Sequence, residues 1–246
     1  MTTKKLNHVA LLGLGQSQLD YHLSLTHSVE YDEVWAVNSM CVVVNADRVF
    51  MMDPASRFFE TKHAGAQTEV MRRTLPKLTC PVYSCEYDKR VPAIELYPLE
   101  KIVQELGCGY FNNTIAYAIA YALWMKVKKL SLFGADFSYT TNVYFGELGR
   151  ACCEFWLSRC ITAGMEVSIA PRSSLLDTNV PENQKLYGYH RLENPPVVYL
   201  DEDGDLKLTK YSEVEMDEPV KGYSGRQDNI RLVKGSGLQA VEPASY

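Results

Sequence analysis

Residues Leu11 to Leu23, LLGLGQSQLDYHL, follow the apolar HVA of His8 to Ala10, and their reading decides the fold. A short apolar run meets a glycine turn with a serine and then a polar, helix-like segment, which is how many nucleotide-binding folds begin. The dinucleotide form of that turn makes two further demands. The third position of G-x-G-x-x-G should be Gly or Ala for close helix packing, and the second strand should end in an acid for a ribose hydroxyl. This chain has Gln18 and Asn38 at those places, which argues against NAD. Two readings stay open: Gly13 and Gly15 make a tight strand-to-helix turn, or Gly15 and Ser17 bring backbone N–H groups and a hydroxyl to a phosphate at the start of the next helix.

Further apolar runs recur at EVWAVN (33–38), RVFMMD (48–53), PVYSC (81–85), KLSLFGAD (129–136) and VSIA (167–170). They show little alternation, as strands buried on both faces do. Between them lie helical segments. Asn113 and Thr114 can cap the Ala-rich TIAYAIAYALWMKVKK. A second helix is expected from about Glu147 to Ala163, with Leu148, Cys152, Phe155 and Leu157 buried and Gly164 as its stop. Strand and helix alternating over short connections imply an α/β fold: a single Rossmann-like, doubly wound, mostly parallel sheet over roughly residues 1–180. After that, NPPVVYLDEDGDLKLTKYSEV reads as a β-hairpin, and the stretch from Lys221 onward reads as a flexible or oligomerising tail, so residues 181–246 form a second region.

Composition sets the outer limits. With 246 residues and 46% hydrophobic content, the chain can bury a sizeable core. A net charge of -5 does not advertise a nucleic-acid groove, although Arg72, Arg73 and Lys77 form a local basic group. Seven cysteines without a C-x-x-C pair, and five histidines in no zinc-ligand spacing with them, favour a reducing compartment and no metal. The N-terminal apolar stretch is too short for a signal peptide, and no run approaches the roughly 20 apolar residues of a membrane span. The expectation is a cytoplasmic protein with no membrane partner.

In open parallel sheets, ligands bind beyond the carboxyl ends of the strands. Those ends present Gly13, Asn38, Asp53 and Asp136. Each has a plainer role as a turn former or loop cap.

Taken in order, these segments resemble the bacterial sialyltransferases of glycosyltransferase family 42, and the related domain of flagellin-glycosylation accessory factors and archaeal-type hydroxymethylpterin diphosphokinases. GLGQSQL stands where the family has a Gly-Pro-Ser turn that touches the nucleotide phosphate. AVNSM matches a strand ending in Asn, and VFMMDPASRFF matches an Asn/Asp-Pro with aromatics behind it. FNNTIAYAIAYALWMKVKKLSLFGADFSY is similar to a helix start, an Ala-rich helix, a strand and then G-x-D-F-x-Y, and APRSSLLDT to a P-x-S-L-L segment. DEVWAVN and LYGYHR also resemble the phrasing of tailed-phage proteins, which implies a phage gene product acting in a host cytoplasm.

The resemblance implies a nucleotide site built from Gly13, Gly15, Ser17, Asn38, Asp53, Asn113, Thr114, Asp136, Ser173 and Ser174. Tyr139 and Tyr144 would donate hydrogen bonds to a phosphate leaving group. The chain departs from the family where the catalytic His of a G-H-S segment should fall. There it reads YFGELGR, which puts Glu147 in that place. A carboxylate can serve as base if burial raises its pKa, and it is also an ordinary first-turn acid. His190 is the other candidate base. Arg150 and Glu154, four apart, read as an ion pair.

The function implied is a nucleotide-sugar-dependent glycosyltransferase that needs no cofactor besides its donor. Its acceptor would be a modified DNA base or a small molecule, and the chain could form a homo-oligomer. Two alternatives stand beside it: a non-catalytic nucleotide or protein binder that keeps the pocket, and a pterin-type diphosphokinase. The last would need a divalent metal at Asp53 and Asp136.

Overall fold

Val9 and Leu11 of the first strand belong to one hydrophobic cluster and Ala10 and Leu12 to another, so successive side chains are buried on opposite faces of the same strand. This is the physical content of an apolar run without alternation. The computed structural model describes residues 5–138, 142–201 and 205–213. Seven parallel strands form one sheet: β1 (His8–Leu12), β2 (Glu33–Val37), β3 (Arg48–Phe50), β4 (Val82–Ser84), β5 (Ile94–Leu96), β6 (Lys129–Phe133) and β7 (Glu166–Ile169), in the order β5-β4-β3-β2-β1-β6-β7. A separate antiparallel pair, β8 (Pro196–Leu200) and β9 (Leu206–Lys210), makes the hairpin expected near the C-terminus.

Helices cover both faces. α1 (Leu19–Thr26), α2 (Ser56–Phe59) and α3 (Gln67–Thr74) pack with the cluster holding Ala10, Val49, Phe58 and Met71. α4 (Leu99–Leu106), α5 (Thr114–Trp124) and α6 (Val143–Thr162) pack with Leu11, Trp35, Ile102 and Trp156 on the other side. Trp156 is fully buried, stacked on Phe111 at 5.0 Å between centroids, and its indole N–H donates to the Tyr110 carbonyl at 2.7 Å. Its polar atom is thereby satisfied while its large apolar surface leaves water.

Asn113 caps α5 by accepting from the Ala116 N–H at 3.0 Å. α6 begins a turn earlier than Glu147, because the Asn142 side chain accepts from the Phe145 N–H. Cys152 and Leu157 are buried as expected, whereas Leu148 and Phe155 are 42% and 37% exposed. Leu148 lies on a cleft wall and Phe155 packs edge-on against Tyr110 at the surface. Gly164, with φ +83, ends the helix in the left-handed region. β5 is absent from the apolar runs of the sequence. It is a three-residue edge strand with only Ile94 buried. Among the described residues, no helix is long and apolar enough to cross a membrane.

Candidate functional site

The chain lays down β1 to β5 in one direction, then returns to place β6 on the far side of β1. The strand order reverses between β1 and β6, and in open parallel sheets the crevice beyond the carboxyl ends of the strands at such a point is where ligands bind. A cleft of about 1100 Å³ lies there. Gly15, Asn38, Asp53 and Asp136 line it from the strand ends, and Asn113 and Thr114 line it from the start of α5.

The loops that frame the cleft are locked to each other. Gly13 N–H donates to the Phe133 carbonyl at 2.7 Å, and Gly15 N–H to the Gly134 carbonyl at 2.8 Å. The backbones approach so closely that a Cβ on Gly13 would stand 2.4 Å from the Gly134 carbonyl oxygen, and a Cβ on Gly15 would stand 2.6 Å from the Asp136 carboxyl. Gly134, at φ +66, makes the matching turn on the β6 side.

Ser17 is the main departure from the expected site. It is fully buried and does not line the cleft. Its N–H donates to Asp136 Oδ2 at 2.8 Å, its hydroxyl donates to Asp136 Oδ1, and its oxygen accepts from the Gly134 N–H at 2.8 Å. The serine of the opening turn therefore clamps β1 to β6 and has no capacity left for a phosphate. Asp136 caps the single 3₁₀ turn Gln16–Gln18. Burial pushes its carboxyl pKa up, the two Ser17 hydrogen bonds pull it down, nearby Asp20 raises it and Arg172 lowers it.

Ser173 and Ser174 are also structural in their contacts. Their hydroxyls donate to the carbonyls of Ala135 and Asp136 at 2.7 and 2.6 Å, tying the loop after β7 to the loop after β6. Gly13 is buried behind the cleft. Tyr144 is 75% exposed and lines no part of it, and Tyr139 lies outside the described residues. Neither candidate base lines it. Glu147 is exposed on α6, and the His190 ring lies 3.3 Å from the Leu186 carbonyl in the segment after the sheet. Arg150 and Glu154 form their expected ion pair at 3.0 Å.

Several cleft residues stand outside the expected site set, although Arg57, Arg172, Phe111, Tyr117 and Phe137 lie within the motif segments quoted above. Arg57, four residues after Asp53, pairs with it. His63 comes from the segment between α2 and α3, and Gln67, the first residue of α3, accepts from the Ser39 hydroxyl at 3.1 Å. Arg172, from the loop after β7, reaches the buried Asp20 at 2.5 Å. Phe111, Tyr117, Phe137 and Phe145 supply aromatic surface. Gly149 makes room for Phe137, since a Cβ there would stand 2.7 Å from its ring.

No family model matches this chain, and no curated protein sequence matches it. A solved structure does. It is sialyltransferase CstII from Campylobacter jejuni in complex with a substrate analogue, cytidine-5'-monophosphate, with 17% identity over 69% of this chain and 82% of that chain and a TM-score of 0.42.

Two features of the cleft bear on chemistry. The Oδ1 of Asn38 is buried without a hydrogen-bond partner among the described residues, on a residue held at φ +50. A buried acceptor left unpaired costs roughly 1–3 kcal/mol, so a donor supplied from the cleft would relieve it. The first turn of α5 also faces the cleft. Asn113 satisfies only the Ala116 N–H, which leaves those of Thr114 and Ile115 without intrahelical partners. Among the described residues, no group of three or more His, Cys, Asp or Glu stands together as a metal site.

Proposed function

We propose that this chain is a nucleotide-binding transferase whose cleft takes a nucleotide-activated sugar. The observation that carries the reading is the meeting, in one cleft at the switch point, of the α5 N-terminal turn with the orphaned Asn38 acceptor. Free N–H groups and the helix dipole suit a phosphate, and the buried acceptor suits a hydroxyl or amine of the nucleoside. Aromatic side chains such as Phe111 and Phe137 offer apolar faces to a base or sugar ring. About 1100 Å³ exceeds the usual range for a single small ligand, which leaves room for donor and acceptor together. The ordered motifs shared with glycosyltransferase family 42 support the same reading.

The test is a thermal-shift screen with nucleotides and sugar nucleotides, followed by mass spectrometry of any product. A shift with a sugar nucleotide and release of its nucleotide support the proposal; no shift with any of them removes it. A second reading, a binder without turnover, is favoured by one observation: Glu147 and His190 both stand outside the cleft. Tight binding with the sugar nucleotide recovered intact would select it.

A further inference from the structure

We propose that His63 is the catalytic base of the transfer, taking the proton from the acceptor hydroxyl that attacks the activated sugar. The proposal rests on the reading of the cleft as a donor site. A hydroxyl becomes an effective nucleophile when a positioned group removes its proton, so a base must stand in the cleft itself.

Among the described residues lining the cleft, the carboxylates and imidazoles are Asp53, Asp136 and His63. Asp136 has both oxygens engaged by Ser17 and is 8% exposed. Asp53 is paired with Arg57. His63 is exposed on the wall, and no hydrogen bond of its ring is seen among the described residues; its backbone N–H is held by the Thr61 hydroxyl at 3.2 Å. Of the chain's five histidines, it alone lines the cleft.

Its placement fits the direction of the reaction. Ala64 and Phe58 pack into the core on the α1–α3 face of the sheet, whereas Ile115 and Ala116 of α5 pack on the opposite face. His63 and the α5 N-terminus therefore reach the cleft from opposite faces of the sheet. The acceptor oxygen would form its bond to the anomeric carbon as His63 takes the proton. The bond from that carbon to the phosphate oxygen breaks on the far side, and the electron pair leaves with the nucleotide phosphate toward α5. The imidazolium then returns its proton to solvent. A single displacement of this kind inverts the anomeric configuration. The charged groups sharing the cleft with His63 are Asp53 and Arg57 on its own side, and Asp136 and Arg172 from the β6 and β7 loops; Lys62 precedes it in the chain.

The experiment pairs calorimetry using CMP, UDP and GDP with nucleotide release from CMP-, UDP- and GDP-sugars, for the parent, His63→Gln and His63→Ala. The expected result is nucleotide affinity within about twofold of the parent and release slowed roughly 100-fold or more in both variants. Added imidazole should restore part of the His63→Ala rate, and the parent's product should be inverted. If the variants bind nucleotide and turn over as the parent does, or if the parent binds without turnover, His63 is not a base and the nucleotide site stands. If the parent binds no nucleotide, the reading of the cleft fails and this role fails with it.

Discussion

Ser17 and Asp136, 119 residues apart in the chain, hold each other across the point where the strand order reverses: the Ser17 N–H and hydroxyl both donate to the Asp136 carboxylate, and the hydroxyl oxygen accepts from Gly134. The pair fixes the gap between the two loops that frame the cleft. Its loss should be felt in stability before it is felt in ligand affinity. Ser17→Ala leaves the Gly134 N–H and one carboxylate oxygen unpaired in a buried place, a cost of about 1–3 kcal/mol. Urea melts should show it, and a double-mutant cycle with Asp136→Ala should return a coupling on the order of 1 kcal/mol or more. Additive losses would mean that the two residues do not act together.

Gly15→Ala puts a methyl group 2.6 Å from the Asp136 carboxyl, so a loop or the carboxylate must move. A destabilisation of about 1–3 kcal/mol is expected, as for overpacking in a core. Gly65→Ala is the control, because nothing lies within 4 Å of its Cβ position; only the φ +59 strain, about 1 kcal/mol, should register there. Equal melting temperatures for Gly15→Ala and the parent would contradict the close approach.

Asn38→Gly removes the orphaned acceptor and tolerates the φ +50 backbone. The ligand-free protein should melt within a few degrees of the parent, because the deleted acceptor was unsatisfied. Nucleotide affinity should fall about tenfold, the loss of one hydrogen bond worth roughly 1.4 kcal/mol. Calorimetry on both proteins checks this, and unchanged affinity would remove Asn38 from the ligand's contacts.

His8 gives the fold a pH dependence of definite sign. Its ring lies 2.8 Å from the Ser131 hydroxyl; burial first, and then the charge of Lys129, lower its pKa to about 4. The unfolded chain protonates near 6.5 while the folded ring stays neutral. The contribution to stability is therefore full above pH 6.5 and is lost as pH falls toward 4. Partial solvation of the ring keeps the effect on the order of 1–2 kcal/mol. Asp136, with its pKa raised, works in the opposite sense, its contribution fading as pH rises above the ordinary carboxylate value. The difference between parent and His8→Gln isolates the histidine. Denaturation midpoints at pH 7 and pH 4.5 should converge in the variant, and an unchanged slope would count against it.

The sheet was legible because its strands are buried on both faces and so appear as apolar runs. β5 escaped because an edge strand of Ile94, Glu95 and Leu96 buries one side chain and carries no run. The start of α6 escaped for another reason: Gly146 looks like a helix breaker in sequence, yet it is buried within the first turns of the helix. At the site, Gly15, Asn38, Asp53 and Asp136 could be read because they follow strands directly. Ser17 could be read as near the site but not as spent on Asp136, since that bond joins segments far apart in the chain. Arg57 comes from the short helix α2, and His63 and Arg172 from loops, and the approach of all three to the cleft depends on the whole sheet being assembled.

The central claim, that the α5 N-terminus receives a nucleotide phosphate, is tested most directly by calorimetric titration with CMP, UDP, GDP and ADP, of the parent and of Thr114→Asp. An acid in the first turn of a helix favours the dipole, so the variant should melt at or above the parent. The same carboxylate should repel a phosphate. The account predicts that at least one nucleotide binds the parent and that Thr114→Asp loses it while remaining folded. Heat from none of the four, or equal binding to both proteins, would contradict it.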